Sequence, residues 1–195
     1  MTRPLAASAA TAHDAAMHVL PRDGVWTLDD LAAMPEDGLR YELVDGTLLV
    51  SAAPSKMHQR VAGNLYVLLR AACPPELEVF FAPTDYQPTR TRSLQPDLLV
   101  VRQDDPGPAS VTTPLALAIE VLSPSSRSID LVLKRSLYEQ AGVAQYWVVD
   151  PLEALVTCWT LREGFLEQSA AAQGDQVLEV SQPFPMTIVP SALVL

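Results

Sequence analysis

The chain has 195 residues, 49% of them hydrophobic and 18% charged, with a net charge of −10. This length and composition predict one folded domain with a full core and exclude a largely disordered chain. The acidic balance counts against a simple nucleic-acid binder, because non-specific affinity comes from Lys and Arg contacts to phosphates. It does not exclude a metal-dependent nuclease, since clustered acids attract divalent cations.

The N-terminal residues are predicted to lie outside the domain. Residues 1–22 are rich in alanine but lack a sustained apolar core, so we expect a loose tail rather than a signal peptide, followed by a single domain over residues 23–195. No apolar run approaches the roughly 20 residues that span a bilayer, so no membrane association is expected. Cys73 and Cys158 lack metal-ligand spacing and indicate a reducing, cytoplasmic location.

The first half of the sequence predicts two helices and a hairpin, each with a characteristic terminus. Thr27 is a suitable N-cap for a short helix to about Met34. Asp45-Gly46, placed between two apolar runs over 41–44 and 47–50, predicts a β-hairpin with a two-residue turn. Ser55 then precedes apolar positions at helical spacing, which predict a helix over about 55–72.

The second half alternates strands and one helix. The predicted strands lie near 77–82, 97–102, 115–122 and 144–149, followed by short strands at 154–161, 165–168, 177–180 and 186–189. The stretch 103–114 is rich in Pro, Gly and Asp and is predicted to be a loop. A helix over about 127–141 ends before Gly142, a suitable C-terminal cap.

Two carboxylates fall on buried strands. Asp97 opens one apolar run and Glu120 closes the next. A carboxylate in such a place is costly unless it is paired, hydrogen-bonded or bound to a metal. Asp97, Glu120 and the backbone carbonyl of Val121 could therefore hold one divalent cation. The simpler alternatives are a cap at the start of the strand for Asp97 and a salt bridge to Lys134 for Glu120.

Lys134 is an anomaly within its predicted helix. At about 100° per residue it lies in the middle of an apolar face formed by Leu131, Leu137, Tyr138 and Ala141. Its ammonium must reach solvent or find carboxylates beneath the helix. We expect it to orient or deprotonate the attacking water, or to stabilise the negative charge that develops on a phosphate.

Three further residues are candidates for substrate binding. His58, at the N-terminus of the long helix, could bind a phosphate or relay a water, although a partly buried histidine satisfied by a backbone carbonyl is the favoured alternative. Arg90 and Arg92 could bind phosphates, and the alternative for each is a solvated loop. No Gly-x-Ser-x-Gly elbow, Walker-type phosphate loop or Rossmann glycine pattern is present.

Motifs across nearly the whole chain, from about residue 27 to 190, resemble the Uma family of putative restriction endonucleases, in the PD-(D/E)XK nuclease superfamily. The matching stretches are Tyr41-Glu-Leu-Val-Asp-Gly46, Ala53-Pro-Ser55 with His58, Gln95-Pro-Asp-Leu98, Ile119-Glu-Val-Leu-Ser-Pro-Ser125, Asp130 with Lys134 and Tyr138, Ala141-Gly-Val143 and Tyr146-Trp-Val-Val-Asp-Pro151.

The resemblance implies an α/β fold, a restriction-endonuclease-like mixed central β-sheet flanked by α-helices. It also implies Mg²⁺-dependent hydrolysis of phosphodiester bonds, expected to be those of DNA, by a metal-activated water, with Mn²⁺ as a substitute. Asp97 and Glu120 become metal ligands, and Glu42 matches an additional acid. The superfamily lysine stands two places after the acid, where this chain has Leu122, so Lys134 is its expected replacement. A homodimer would provide two sites for double-strand cleavage.

Two other functions are compatible with the sequence. The low positive charge and the absence of a lysine at position 122 are compatible with a catalytically inactive nuclease-like fold that acts as a binding or assembly module. A hydrolase of other phosphoesters is the third interpretation, and it would act on small phosphodiesters but not on plasmid DNA.

Overall fold

The protein is described here from a computed structural model covering residues 18–20, 23–104, 110–124 and 126–195. The strands β1 to β13 are His18–Leu20, Arg40–Val44, Thr47–Ser51, Leu77–Phe81, Tyr86–Thr89, Arg92–Leu94, Leu98–Arg102, Leu117–Val121, Gln145–Asp150, Leu155–Arg162, Phe165–Gln173, Leu178–Val180 and Met186–Ile188. The α-helices α1 to α4 are Leu28–Ala32, Lys56–Ala72, Arg135–Gln140 and Pro190–Val194, and a π-helical segment, Ile129–Lys134, leads directly into α3.

A six-stranded mixed sheet forms the centre of the molecule, in the order β11-β10-β9-β8-β7-β4. Its strand pairs are antiparallel except for β8 and β9, which run parallel. A parallel pair needs a long crossover, and the π-helical segment with α3 provides it. This arrangement confirms the expected mixed sheet flanked by helices.

The two faces of the central sheet pack against different layers. Alternate residues of β7 and β8, such as Leu98 and Ile119, pack with Val61, Leu65 and Leu69 of α2. The residues that alternate with them, such as Leu99 and Ala118, pack with Leu137 and Tyr138 of α3 and with residues of the second sheet. Because Glu120 alternates with Ile119, it lies on the α3 side.

The second sheet has five strands, in the order β1-β3-β2-β6-β5, and contains the predicted hairpin. Val44 pairs with Thr47 across the turn, where Asp45 and Gly46 both have positive φ, 47° and 82°. This is the geometry that Asp-Gly favours in a two-residue hairpin. The hairpin places Glu42 on a buried strand beside the central sheet.

Several elements differ from the sequence-based predictions. The strand β1 lies inside the range predicted as a loose tail and pairs with β3, so the tail prediction fails for His18–Leu20. The other residues of that range are outside the described part of the chain. The hairpin of β5 and β6 and the helix α4 were not predicted. No helix in the described residues is long and apolar enough to cross a membrane.

Candidate active site

Asp97 and Glu120 lie next to each other at one end of the central sheet. In the antiparallel register of β7 and β8, Leu98 is opposite Ile119, so the next positions along the pair are those of Asp97 and Glu120. Both side chains are buried, and both line one pocket of about 510 Å³. Val121, whose carbonyl was expected to assist them, lines the same pocket. Glu42 is buried close by but does not line it.

The carboxylate of Asp97 is fixed by three donors. Nη2 of Arg40 lies 2.9 Å from Oδ1, Nε2 of His58 lies 2.9 Å from Oδ2, and the backbone N–H of Val121 donates to Oδ2 at 2.8 Å. Burial would raise the pKa of Asp97, but the hydrogen bond and charge of His58 and the charge of Arg40 outweigh it and lower the pKa. Asp97 therefore remains ionised.

Lys134 points inward from the π-helical segment and is almost completely buried. Its Nζ lies 3.1 Å from Oε1 of Glu120, 3.1 Å from Oε1 of Glu42 and 3.7 Å from Oδ1 of Asp130. Burial lowers the pKa of a lysine, but here Glu120, Glu42 and Asp130 outweigh burial and raise it. The ammonium therefore remains charged, which suits charge stabilisation better than proton abstraction.

Glu120 and Glu42 share the lysine but have different second partners. The hydroxyl of Tyr138 donates to Oε1 of Glu120 at 2.7 Å, and the backbone N–H of Gln95 donates to Oε1 of Glu42 at 2.8 Å. Oε2 of Glu42 is buried, and no described residue gives it a hydrogen bond. Burial raises the pKa of Glu120; Lys134 acts against this, and nearby Asp130 acts with it. A buried carboxylate oxygen without a donor is costly unless its charge is neutralised in another way.

The carboxylates of the cluster outnumber its cationic side chains. Asp97, Glu120, Asp130 and Glu42 are four buried carboxylates, and among the described residues only Arg40 and Lys134 are permanently cationic partners of them. Such an excess must be neutralised by protons or by a bound cation. The oxygen ligands are those that a hard divalent cation prefers.

No group of three or more His, Cys, Asp or Glu side chains in the described residues is arranged to hold a metal ion. Mg²⁺, however, is usually bound by one or two carboxylates and retains several waters. Asp97 and Glu120, with the carbonyl of Val121, therefore fit this cation by their chemistry.

His58 reaches the site from the first turn of α2. Ser55 caps this helix by accepting a hydrogen bond from the N–H of His58 at 3.2 Å. The alternative favoured from sequence, a backbone carbonyl partner, is wrong, because Nε2 hydrogen-bonds with Asp97. Nδ1 is buried and has no hydrogen-bond partner in the part of the chain that the structure describes.

Arg90 and Arg92 are not brought to the pocket. Arg92 is buried and binds both carboxylate oxygens of Asp45, with further bonds to the carbonyl of Leu137 and to Gln140. It therefore joins the hairpin turn to α3. Arg90 is exposed in the turn between β5 and β6.

Arg40 and Asp130 belong to the charged cluster around Asp97 and Lys134, but the sequence analysis did not select them as candidates. Arg40 lies two positions before Glu42 on one strand, and alternate strand residues share a face. Asp130 lies four positions before Lys134, a spacing that brings side chains together on a helix. Both spacings were visible in the sequence, but neither identifies a site until its neighbouring strand or helix is placed.

Comparisons with known proteins agree with the fold and its motifs. The model of the Uma2 family, described as "Putative restriction endonuclease", matches residues 28–192. A crystal structure of a putative nuclease belonging to DUF820, from Anabaena variabilis, is similar with a TM-score of 0.68 and 17% sequence identity, over 87% of this chain and 99% of that chain. No curated protein matches the sequence. The family match covers most of the chain and includes every residue of the cluster around Asp97 and Glu120, so the chain belongs to the Uma2 family of putative restriction endonucleases.

Proposed function

We propose that the protein is a Mg²⁺-dependent endonuclease that hydrolyses phosphodiester bonds of DNA, with Mn²⁺ as a substitute for Mg²⁺. One observation carries the proposal. In the described part of the chain, four buried carboxylates surround Arg40 and Lys134, and three of the four line the same open pocket, which leaves a negative excess that a divalent cation would neutralise.

Asp97, Glu120 and the carbonyl of Val121 would hold the cation. When bound, it would supply Lewis-acid chemistry, polarising the phosphate and favouring a hydroxide nucleophile at neutral pH. The protein would keep the carboxylates of Asp97 and Glu120 positioned for the cation. Arg40, His58 and the N–H of Val121 fix Asp97, and the hydroxyl of Tyr138 fixes Glu120.

The two cationic side chains, Arg40 and Lys134, have separate roles in this mechanism. Both Arg40 and Lys134 line the pocket beside the acids. Lys134 would stabilise the negative charge that grows on the phosphoryl oxygens, while Glu42 and Asp130 hold its ammonium in place. Arg40, partly exposed, would orient the phosphate through the guanidinium edge that Asp97 does not occupy.

Supercoiled plasmid tests the activity directly. Wild type with Mn²⁺ should convert it to nicked or linear DNA, and Glu120→Gln and Lys134→Met should each lose at least about a hundredfold in rate. Glu179→Gln, which changes an exposed glutamate, is the matched control and should keep the wild-type rate. Equal nicking by all four proteins would assign the activity to a contaminant.

A binding or assembly module is the second candidate, and one observation favours it. Three donors already satisfy Asp97 without a metal, and the described residues contain no three-ligand group. Calorimetric titration with Mn²⁺ distinguishes the two functions. The endonuclease requires binding that Asp97→Ala abolishes, whereas the module predicts no binding, or binding that this variant leaves unchanged.

A symmetric dimer remains part of the proposal for duplex DNA. Cleavage of both strands needs two sites, and a two-fold dimer would provide them. Light scattering on the purified protein, alone and with a short duplex, measures the mass. A monomer under both conditions would contradict the dimer without affecting the proposal of a single-strand nick.

A further inference from the structure

A second cavity, of about 260 Å³, lies beside the site pocket. The two cavities share Arg40, His58 and Asp97 in their walls, so they adjoin each other at these three residues. The remaining wall of the second cavity differs in character, because Tyr66 and Phe81 contribute to it. We refer to it as the aromatic cavity.

The aromatic pair of this cavity is accessible. The rings of Tyr66 and Phe81 meet edge to face, with centroids 5.0 Å apart and an interplanar angle of 76°. Phe81 is 56% exposed although it ends a strand of the central sheet. An exposed aromatic ring beside a cavity offers a stacking surface to a planar ligand.

Gly63 leaves space in the aromatic cavity. It lies inside α2, where glycine is unfavourable relative to alanine, and a Cβ built there meets no atom within 4 Å. The helix therefore presents bare backbone to the cavity, and packing does not require the glycine. His58 also lines this cavity, and its Nδ1 is buried without a hydrogen-bond partner among the described residues. The exposed Gln59, in the same wall, offers an amide.

We propose that the aromatic cavity binds one unpaired nucleobase adjacent to the phosphate in the site pocket, and that the substrate is therefore a single-stranded or locally unpaired DNA. This inference rests on the proposed endonuclease function and specifies its substrate. The base would stack against Phe81, and the amide of Gln59 would meet its polar edge. Arg40, shared by both cavities, would lie between the base and the phosphate.

The charge of the chain favours the same substrate. Duplex binding depends on many Lys and Arg contacts to phosphates, yet this chain has 13 such residues against 23 acids. Base stacking needs no positive charge and contributes to single-strand affinity for every base. An acidic protein can therefore bind an unpaired strand through its bases more tightly than it binds a duplex through its phosphates.

Filling the cavity from Gly63 tests the proposal. Gly63→Leu would project a side chain into the open space, and Gly63→Ala is the matched control for the gain in helix propensity. Phe81→Ala removes the stacking surface by an independent change at an exposed position. Binding of a fluorescent single-stranded 12-mer and of its duplex would be measured by anisotropy, and turnover of bis(p-nitrophenyl) phosphate would be followed with Mn²⁺.

We expect wild type and Gly63→Ala to bind the single strand at least about tenfold more tightly than the duplex. Gly63→Leu and Phe81→Ala should each lose about tenfold in single-strand affinity while keeping wild-type turnover of the small phosphodiester. Wild-type single-strand affinity in both variants, or equal binding of strand and duplex by wild type, would overturn the inference. Selective strand binding without turnover of any phosphodiester would overturn the proposed hydrolysis and leave the base subsite standing.

Discussion

Nζ of Lys134 lies 3.1 Å from Oε1 of Glu42, and this ion pair joins the two sheets of the protein. Glu42 is on the hairpin of the smaller sheet, while Lys134 is on the crossover that packs against the central sheet. The same ammonium contacts Glu120. One buried cation therefore stabilises the interface between the sheets and the candidate catalytic cluster.

Replacing Lys134 should destabilise the protein strongly in the absence of metal. Lys134→Met leaves Glu42 and Glu120 buried without their counter-ion, at a cost of about 3–5 kcal/mol in the free energy of unfolding. Urea denaturation with EDTA measures it. The exposed Lys56, the chain's other lysine, provides the control: Lys56→Met should change stability by less than about 0.5 kcal/mol. Equal effects would contradict a structural role for the buried ammonium.

The hydroxyl of Tyr138 should contribute more to the stability of the fold than the hydroxyl of Tyr86. Tyr138 donates to Glu120 at 2.7 Å, whereas Tyr86 donates to the carbonyl of Ala141 at 3.4 Å. Tyr138→Phe is expected to cost about 1.5–3 kcal/mol, because the bond is to a carboxylate, and Tyr86→Phe less than about 1 kcal/mol. Chemical denaturation of both variants without metal compares them. A larger loss of unfolding free energy in Tyr86→Phe than in Tyr138→Phe would show that the bond to Glu120 contributes little to stability.

Removing Arg40 should affect metal binding and cleavage in opposite directions. Its guanidinium, 2.9 Å from Oδ1 of Asp97, competes with a cation for that oxygen. Arg40→Gln is therefore expected to raise Mn²⁺ affinity about tenfold, measured by calorimetry, and to slow plasmid nicking because a phosphate contact is lost. Arg60→Gln, at an exposed position on α2, should change neither quantity. Weaker metal binding in Arg40→Gln would show that the arginine positions Asp97 more than it competes.

Arg92 and Arg90 should differ in stability but not in metal binding. Arg92→Met removes the three hydrogen bonds to the carboxylate of Asp45 and leaves the carbonyl of Leu137 without this donor, at a cost of about 2 kcal/mol. Arg90→Met changes an exposed turn and should stay within about 0.5 kcal/mol of wild type. Thermal unfolding measures the difference, and calorimetry should give the same Mn²⁺ affinity for both. A loss of Mn²⁺ affinity in Arg92→Met alone would connect this arginine to the site.

The local elements followed from the sequence because their determinants are local. Asp45-Gly46 predicted its turn since few other residue pairs accept positive φ at both positions. Ser55 predicted the start of α2 through a side-chain bond made within the same turn. The strand β1 was missed because it forms only by pairing with β3, a contact that no local pattern specifies.

The π-helical segment is a feature that local sequence patterns did not predict. A helix near 127–141 was expected, and Lys134 was recognised as misplaced on its apolar face, but the wider turn of Ile129–Lys134 was not predicted. Such turns are rare, and many of those known lie at functional sites. The hydroxyl of Tyr146, on β9, donates to the carbonyl of Asp130 within this segment. This contact comes from a strand that follows the segment in the chain, so a local pattern does not reveal it.

By itself, the sequence determined which side chains could not remain buried alone: two carboxylates on apolar strands and a lysine on an apolar helix face, because an unpaired charge in the interior is too costly. Only the tertiary structure decided their partners. Sheet register brought Asp97 beside Glu120, and packing of the hairpin and the crossover added Arg40, Glu42 and Asp130. Those contacts join residues distant along the chain, so they depend on how the layers fit together and not on any local spacing.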